Sequence, residues 1–236
     1  MPNAPRRTET VFLDAGGVLV NPNWERVAES LGRQGVAVSA DALEAADPRA
    51  RRQLDTAANV RESSAGAGWL YLDLVLRAAG VTLSGRTAAA YRELREYHDR
   101  HNLWEVVPAE VPDALRRLRA LGLRLAVVSN ANGTVRSVLA RVGLAAFVAT
   151  VFDSREEGVE KPDPRFFALA LERTGARAET TIHVGDLYEA DVVGARAAGI
   201  EPVLLDRASL YPDVDCRRVT SLRVLADWLA DSASPY

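Results

Sequence analysis

Cysteine is almost missing from this chain of 236 residues: Cys216 stands alone. A single thiol excludes an intrachain disulfide and any metal site built from several cysteines. Long apolar runs are missing too, and none approaches the length that spans a bilayer. Met1 to Thr10 is polar, carries Arg6 and Arg7, and has no apolar stretch of the kind that directs secretion. Nor is there an excess of positive charge. The formal net charge is −3, which gives a polyanion no footprint, so neither nucleic acid nor a membrane is an expected partner. The expectation is a soluble, cytoplasmic protein. Lysine is the scarcest cation: of 29 basic side chains, 28 are arginine and one, Lys161, is lysine. A coding bias toward arginine and alanine accounts for the 28. It leaves open why one compact ammonium is kept where a wide, planar guanidinium serves everywhere else.

What is present is ordinary for a globular protein, with 48% apolar and 26% charged residues. The length suits one large domain, or a medium domain with an insertion. The first apolar run, Val11-Phe12-Leu13, is β-rich, ends at Asp14 and is followed by Gly16-Gly17, which predicts a buried strand and a tight turn. From about Asn21 to Glu105, Leu, Ala and Arg dominate and β-branched runs are absent. Several helices are expected there, with breaks near 36–40, 65–68 and 80–85. After Pro108 a regular alternation begins. A helix is expected from Val111 to Leu121, a strand over Leu123–Ser129, and a helix capped by Asn132 and closed by Gly143. A short strand over Val148–Phe152 follows, then a helix from Asp163-Pro164 to Thr174. A strand over Thr181–Val184, a helix over Ala190–Ala198, a strand over Pro202–Leu205 and a helix over about Ser221–Ala230 complete the chain. Strands alternating with helices indicate an α/β fold with a doubly wound parallel sheet. Residues 1–20 and 106–236 should form its core, with residues 21–105 as a helical insertion.

Ligands of such sheets collect beyond the carboxyl ends of the strands. Asp14, Ser129-Asn130, Lys161, Asp186 and, five residues further, Asp191 all fall there. Each alone has a plainer reading, as a turn, a helix cap or a surface loop. Together they place three carboxylates, a hydroxyl and the sole ammonium on one rim. That set suits phosphoryl chemistry: a carboxylate can accept a phosphoryl group, and a hard divalent cation can neutralise the charge on both. Hydroxyl and N–H groups can hold phosphate oxygens, and an ammonium can offset charge on nucleophile and phosphate together.

Four motifs carry a resemblance to a known family. They are Phe12-Leu13-Asp14-Ala15-Gly16-Gly17-Val18-Leu19, Val127-Val128-Ser129-Asn130, Lys161-Pro162-Asp163-Pro164, and Val184-Gly185-Asp186 with Asp191-Val192-Val193-Gly194-Ala195. In this order they resemble the haloacid dehalogenase superfamily of hydrolases, and the insertion matches that family's helical cap in position and length. The resemblance implies a Rossmann-like core, a small phosphorylated substrate and Mg²⁺. It implies that Asp14 is the nucleophile and a metal ligand, and that Gly16 offers its backbone carbonyl to the metal. Ser129 and Asn130 would hold the phosphoryl group, Lys161 would steady nucleophile and phosphate, and Asp186 would ligate the metal. Asp191 would ligate it or orient its waters. Substrate choice would rest with the cap, which has no motif that names a substrate, and the oligomeric state is not readable.

One departure matters. Phosphatases of the family have a second Asp two residues after the nucleophile, where it protonates the leaving group and later activates water; here that residue is Gly16. General acid–base assistance contributes roughly 10²–10⁴ in rate. The resemblance therefore implies an altered or impaired phosphatase, with Glu25, His98, His101 and Glu105 as candidates to replace the acid. A protein released slowly from its phosphorylated state, or a non-catalytic protein that keeps a phosphate and metal pocket, are the alternatives. Dehalogenation is disfavoured, because the family's dehalogenases have an aromatic residue at position 16 and lack the carboxylates of the fourth motif. Schiff-base chemistry of the phosphonoacetaldehyde hydrolase kind is rejected, since the insertion has no lysine. Trp24, Trp69 and Trp104 could line a pocket, though helix packing is the simpler role for each. His183, inside a strand, reads as structural.

Overall fold

A computed structural model describes residues 8–59 and 69–233. The expected helix break at 65–68 lies outside those residues. The chain divides into two compact units, residues 1–21 with 107–236, and residues 22–106. In chain order the elements are β1 (Thr10–Leu13), β2 (Asn21–Pro22), α1 (Trp24–Arg33), α2 (Ala40–Leu54), α3 (Leu70–Ala78), α4 (Gly85–His101) and β3 (Trp104–Val106). They continue with α5 (Val111–Ala120), β4 (Arg124–Ser129), α6 (Val135–Arg141), β5 (Thr150–Asp153), α7 (Ser154–Glu157), α8 (Pro164–Thr174) and β6 (Thr181–Gly185). The chain ends with α9 (Val193–Ala197), β7 (Glu201–Leu205), β8 (Arg217–Val219) and α10 (Leu222–Ala233). No helix among the described residues is long and apolar enough to cross a membrane.

The larger unit is a six-stranded, all-parallel sheet in the order β5-β4-β1-β6-β7-β8. Every residue of β1 is buried, as a strand covered on both faces requires. On one face Phe12, Val128 and Phe152 pack with Phe166, Phe167 and Ala170 of α8 and with Ala195 of α9. Asp163 caps α8 by accepting the Arg165 N–H, and Pro164 opens its first turn, where a missing N–H costs nothing. Chain direction across the sheet reverses at β1: β4 and β5 lie on one side, β6 to β8 on the other. The strand ends at that reversal are level. Leu13 is opposite Val127 of β4 and Val184 of β6, and Ser129 is opposite Asp153 of β5. A reversal of this kind opens a crevice at the carboxyl ends of the central strands.

Local details differ from the sequence reading. The helix after β4 is capped by Thr134, not Asn132, whose Oδ1 instead accepts from the Thr134 hydroxyl at 2.5 Å. β5 begins at Thr150 and runs through Asp153. The stretch expected as a helix from Ala190 starts earlier, as a wide π-helical turn over Tyr188–Val192 that leads into α9. β8 was not expected. Its Arg217 and Arg218 are exposed at the sheet edge, so no apolar pattern marks it.

The smaller unit contains α1 to α4, β3 and the Pro22 end of β2. Helix α1 buries Trp24, Val27 and Leu31, at the spacing of one helical face. Trp24 is 6.2 Å from Tyr71, Trp104 is 5.5 Å from Tyr71, and Trp69 lies between Tyr91 at 6.0 Å and His98 at 5.6 Å. All three tryptophans thus pack on aromatic neighbours of their own unit. The buried Asp47 and half-buried Arg51 of α2 pair at 2.8 Å, and the Tyr71 hydroxyl donates to Asp47 at 2.5 Å.

Candidate functional site

Asp14 is the first residue beyond β1. Its N–H donates to the Val184 carbonyl at 2.9 Å, which continues the parallel pairing by one residue and fixes where the side chain leaves the sheet. The carboxylate Oδ1 accepts the Ala15 N–H at 2.8 Å and faces the Lys161 Nζ at 3.0 Å. Oδ2 has no hydrogen-bond partner among the described residues and keeps its lone pairs free.

Lys161 is 1% exposed, far from the usual fate of a lysine. Its Nζ lies 2.7 Å from Asp191 Oδ1, so two carboxylates share it. Burial alone would lower its pKa. Asp14 and Asp191 outweigh that cost, and the ammonium titrates well above its ordinary range. Two backbone contacts hold it there. Asn130 forms a two-way clamp on the lysine's own peptide: its Oδ1 accepts the Lys161 N–H at 2.7 Å and its Nδ2 donates to the Lys161 carbonyl at 2.8 Å. The Asn130 side chain is therefore already engaged, and any contact it makes with a phosphoryl group falls to its backbone N–H.

Asp191 is 2% exposed and has every contact a carboxylate needs to stay charged. Oδ1 takes Lys161 and the His183 Nε2, the latter at 2.8 Å; Oδ2 accepts the Leu187 N–H at 3.0 Å. Burial would raise its pKa, but the Lys161 ammonium and the His183 hydrogen bond overcome this and hold it well below the usual carboxylate range. The wide turn over Tyr188–Val192 folds the Asp191 side chain back over β6. A Cβ on Gly185 would lie 1.9 Å from Asp191 Cγ, so only glycine permits that approach. Gly194 plays the matching part on the other side: a Cβ there would lie 2.9 Å from the Pro162 Cα.

Asp186, also buried, completes a cluster. Asp14, Asp186 and Asp191 each present an oxygen within 4.8 Å of the others. Ser129 is buried at the end of β4, level with the loop that follows Asp14. Gly16 sits in that loop, half-buried and bridged to Val20. The structure thus brings Asp14, Lys161, Asp186 and Asp191 together, and places Ser129, Asn130 and Gly16 on the same rim.

The sequence reading missed Asp153 and took His183 as structural only. Asp153, buried at the end of β5, accepts the Gly133 N–H at 3.0 Å and the Arg155 N–H at 3.0 Å, and so shapes the loop after β4. Its place at a strand end was a readable signal. His183 is fully buried, and burial lowers its pKa against the upward pull of Asp191. Its partner Asp191 could not be read from a strand pattern. Two of the four candidates for the missing acid are tied into the smaller unit. Glu105 accepts from the Tyr97 hydroxyl at 2.8 Å and from Asn23 at 3.1 Å, while His98 Nδ1 accepts the Leu103 N–H at 3.0 Å. Glu25 and His101 are exposed.

Comparison with known proteins identifies the family. Residues 8–199 match the haloacid dehalogenase-like hydrolase family, and the chain belongs to it. It is 42% identical over 100 residues to the ribulose-1,5-bisphosphate 5-phosphatase of Halopiger xanaduensis, a stretch covering 41% of this chain and 42% of that protein. It is 32% identical over 148 residues to the glyceraldehyde 3-phosphate phosphatase of Methanopyrus kandleri, covering 62% of each. The chain thus spans about half the length of these curated relatives. Among solved structures, the HAD-hydrolase YfnB of Bacillus subtilis, bound to magnesium, superposes with a TM-score of 0.67 at 20% identity, over 95% of this chain and 99% of that one. That likeness concerns the fold.

Proposed function

We propose that this protein is a Mg²⁺-dependent phosphatase of small phosphate esters that works through an aspartyl-phosphate on Asp14. The observation that carries the reading is the Asp14 carboxylate, held by the chain's only lysine and flanked by two further carboxylates. Its relatives named for phosphatase activity support the same class of substrate.

The donor set fits a hard divalent cation. Three carboxylates within 4.8 Å of one another are all-oxygen and strongly repulsive without a cation, and one lysine does not neutralise three. Asp14 and Asp186 would hold the ion, with the Gly16 carbonyl. Asp191 can give at most one lone pair of Oδ2, since both lone pairs of Oδ1 are taken. A bound Mg²⁺ would supply charge neutralisation on the phosphoryl oxygens.

The chain's own residues do the rest. Oδ2 of Asp14 attacks phosphorus, and the bond from phosphorus to the leaving oxygen breaks as the new one forms. Lys161, 3.0 Å from Asp14 Oδ1, offsets charge that builds up on the transferring group. Ser129 and the Asn130 N–H would bind phosphoryl oxygens. Gly16 has no side chain to protonate the leaving oxygen or to activate water afterwards. Turnover should therefore fall steeply as leaving-group pKa rises, with aryl and acyl phosphates favoured over sugar phosphates.

A screen of phosphate esters with Mg²⁺, run on wild type and on Gly16→Asp, tests this. Steep leaving-group dependence in wild type, relieved in the variant by up to roughly 10²–10⁴ for alkyl esters, is the expected result. No turnover of any ester by either protein would overturn the reading in favour of a non-catalytic pocket.

A further inference from the structure

The group that anchors Lys161 is itself anchored. Asp191 Oδ1 accepts from Lys161 at 2.7 Å and faces His183 Nε2 at 2.8 Å. An anionic oxygen accepts, so the imidazole proton is on Nε2. The other ring nitrogen, Nδ1, is buried and has no partner among the described residues, and the Phe167 ring packs on the imidazole at 4.8 Å and 73°. A buried polar atom without a partner destabilises a fold. Packing alone would be better served at this position by leucine or methionine. A histidine that leaves one nitrogen unsatisfied is explained by what the other nitrogen does.

From this we propose that His183 is a positioning residue: its Nε2–H pins the Asp191 carboxylate, and through it sets the Lys161 ammonium against Asp14. The geometry gives the reason. A carboxylate held only by Lys161 and the Leu187 N–H can turn about its Cβ–Cγ bond. The second donor on Oδ1 removes that freedom. The three ammonium protons are then divided in a fixed way, one to Asp191, one to Asp14 and one left for an incoming anion. Without His183 the ammonium can follow Asp191 away from Asp14. Substrate would still bind, but the nucleophile would lose its fixed counter-charge in the transition state. The loss belongs in kcat rather than KM.

This inference rests on the phosphatase reading for its kinetic test, but not for its spectroscopic one. Gln can place an amide N–H near the Nε2 position, whereas Leu and Met fill the space without a donor. In His183→Leu, kcat should fall roughly 10–100-fold, the scale of outer-shell partners. KM should stay within about threefold, and His183→Gln should recover most of the loss. His183→Met stands in should the leucine variant fail to fold. Because the chain has one lysine, ¹⁵N-lysine labelling gives one Nζ resonance. That signal should move in the leucine and methionine variants and return toward the wild-type position in the glutamine variant. Equal kcat in the leucine, methionine and glutamine variants would overturn the proposal. Should wild type hydrolyse no ester, the phosphatase reading fails alone, and an unmoved Lys161 resonance in His183→Met would then overturn this one.

Discussion

Replacing Lys161 by methionine tests the electrostatic core of the site. Methionine fills the space of the aliphatic stem but removes the charge, so packing is largely kept. Asp14 and Asp191 then face each other without the cation that lay 3.0 and 2.7 Å away. Their oxygens are within 4.8 Å. At that separation and an effective dielectric of about 20, two unit charges repel by about 3–4 kcal/mol. This agrees with the roughly 3–5 kcal/mol lost when a buried ion pair is broken by removing one partner. For a chain of this size about 2–4 °C accompanies each kcal/mol, so melting in EDTA at neutral pH should fall by about 6–16 °C. The pH dependence follows from the two shifts. Asp191 has a folded pKa below its unfolded value near 3.9, so its stabilisation is complete above about pH 4 and fades as pH falls through the folded value. Lys161 has a folded pKa above its unfolded value near 10.4, so its contribution is complete below that and fades as pH rises through the folded value. The gap between wild type and variant should be level from about pH 5 to 9 and narrow in acid, where protonating Asp191 relieves the repulsion. Melting within about 1 °C of wild type across that range would refute the reasoning.

Other outcomes follow from the same geometry. Gly185→Ala should displace Asp191, destabilise the core by about 1–3 kcal/mol and depress kcat. The alanine substitution at Gly32, in the last turn of α1 with open space around it, should instead be neutral or stabilising by up to about 1 kcal/mol; thermal melts of both settle the contrast. Asp186→Ala should weaken Mg²⁺ binding by at least about tenfold in calorimetric titration, and unchanged affinity would remove Asp186 from the metal site. Asp153→Ala leaves the Gly133 N–H of the loop after β4 and the Arg155 N–H of α7 without their acceptor. It should cost about 1–3 kcal/mol in urea unfolding with Mg²⁺ affinity intact.

Much of the sheet was legible because burial on both faces writes continuous apolar strands, and each functional residue follows where such a run ends. Val11 to Leu13 and Leu125 to Val128 are of this kind, and Ile182 to Val184 is broken only by His183. β8 was not legible, because three residues with two exposed arginines leave no pattern to read. In the candidate site, residue types at strand ends were readable, but their pairing was not. Whether Asp191 would face a metal or a lysine depends on the wide turn at Tyr188–Val192, and helical periodicity does not announce that turn. The Asn130 clamp and the His183 contact join positions 31 and 8 residues from their partners, where spacing alone suggests no contact.

The burial of Lys161 has a consequence for how the folded protein meets electrophiles. Its surface cations are guanidiniums, so no side-chain amine stands ready for acylation, glycation or conjugation. An amine-reactive ester can reach Lys161 only when the segment around it opens. Adduct formation there then becomes a clock for local unfolding of the site, read at one position without competing lysines.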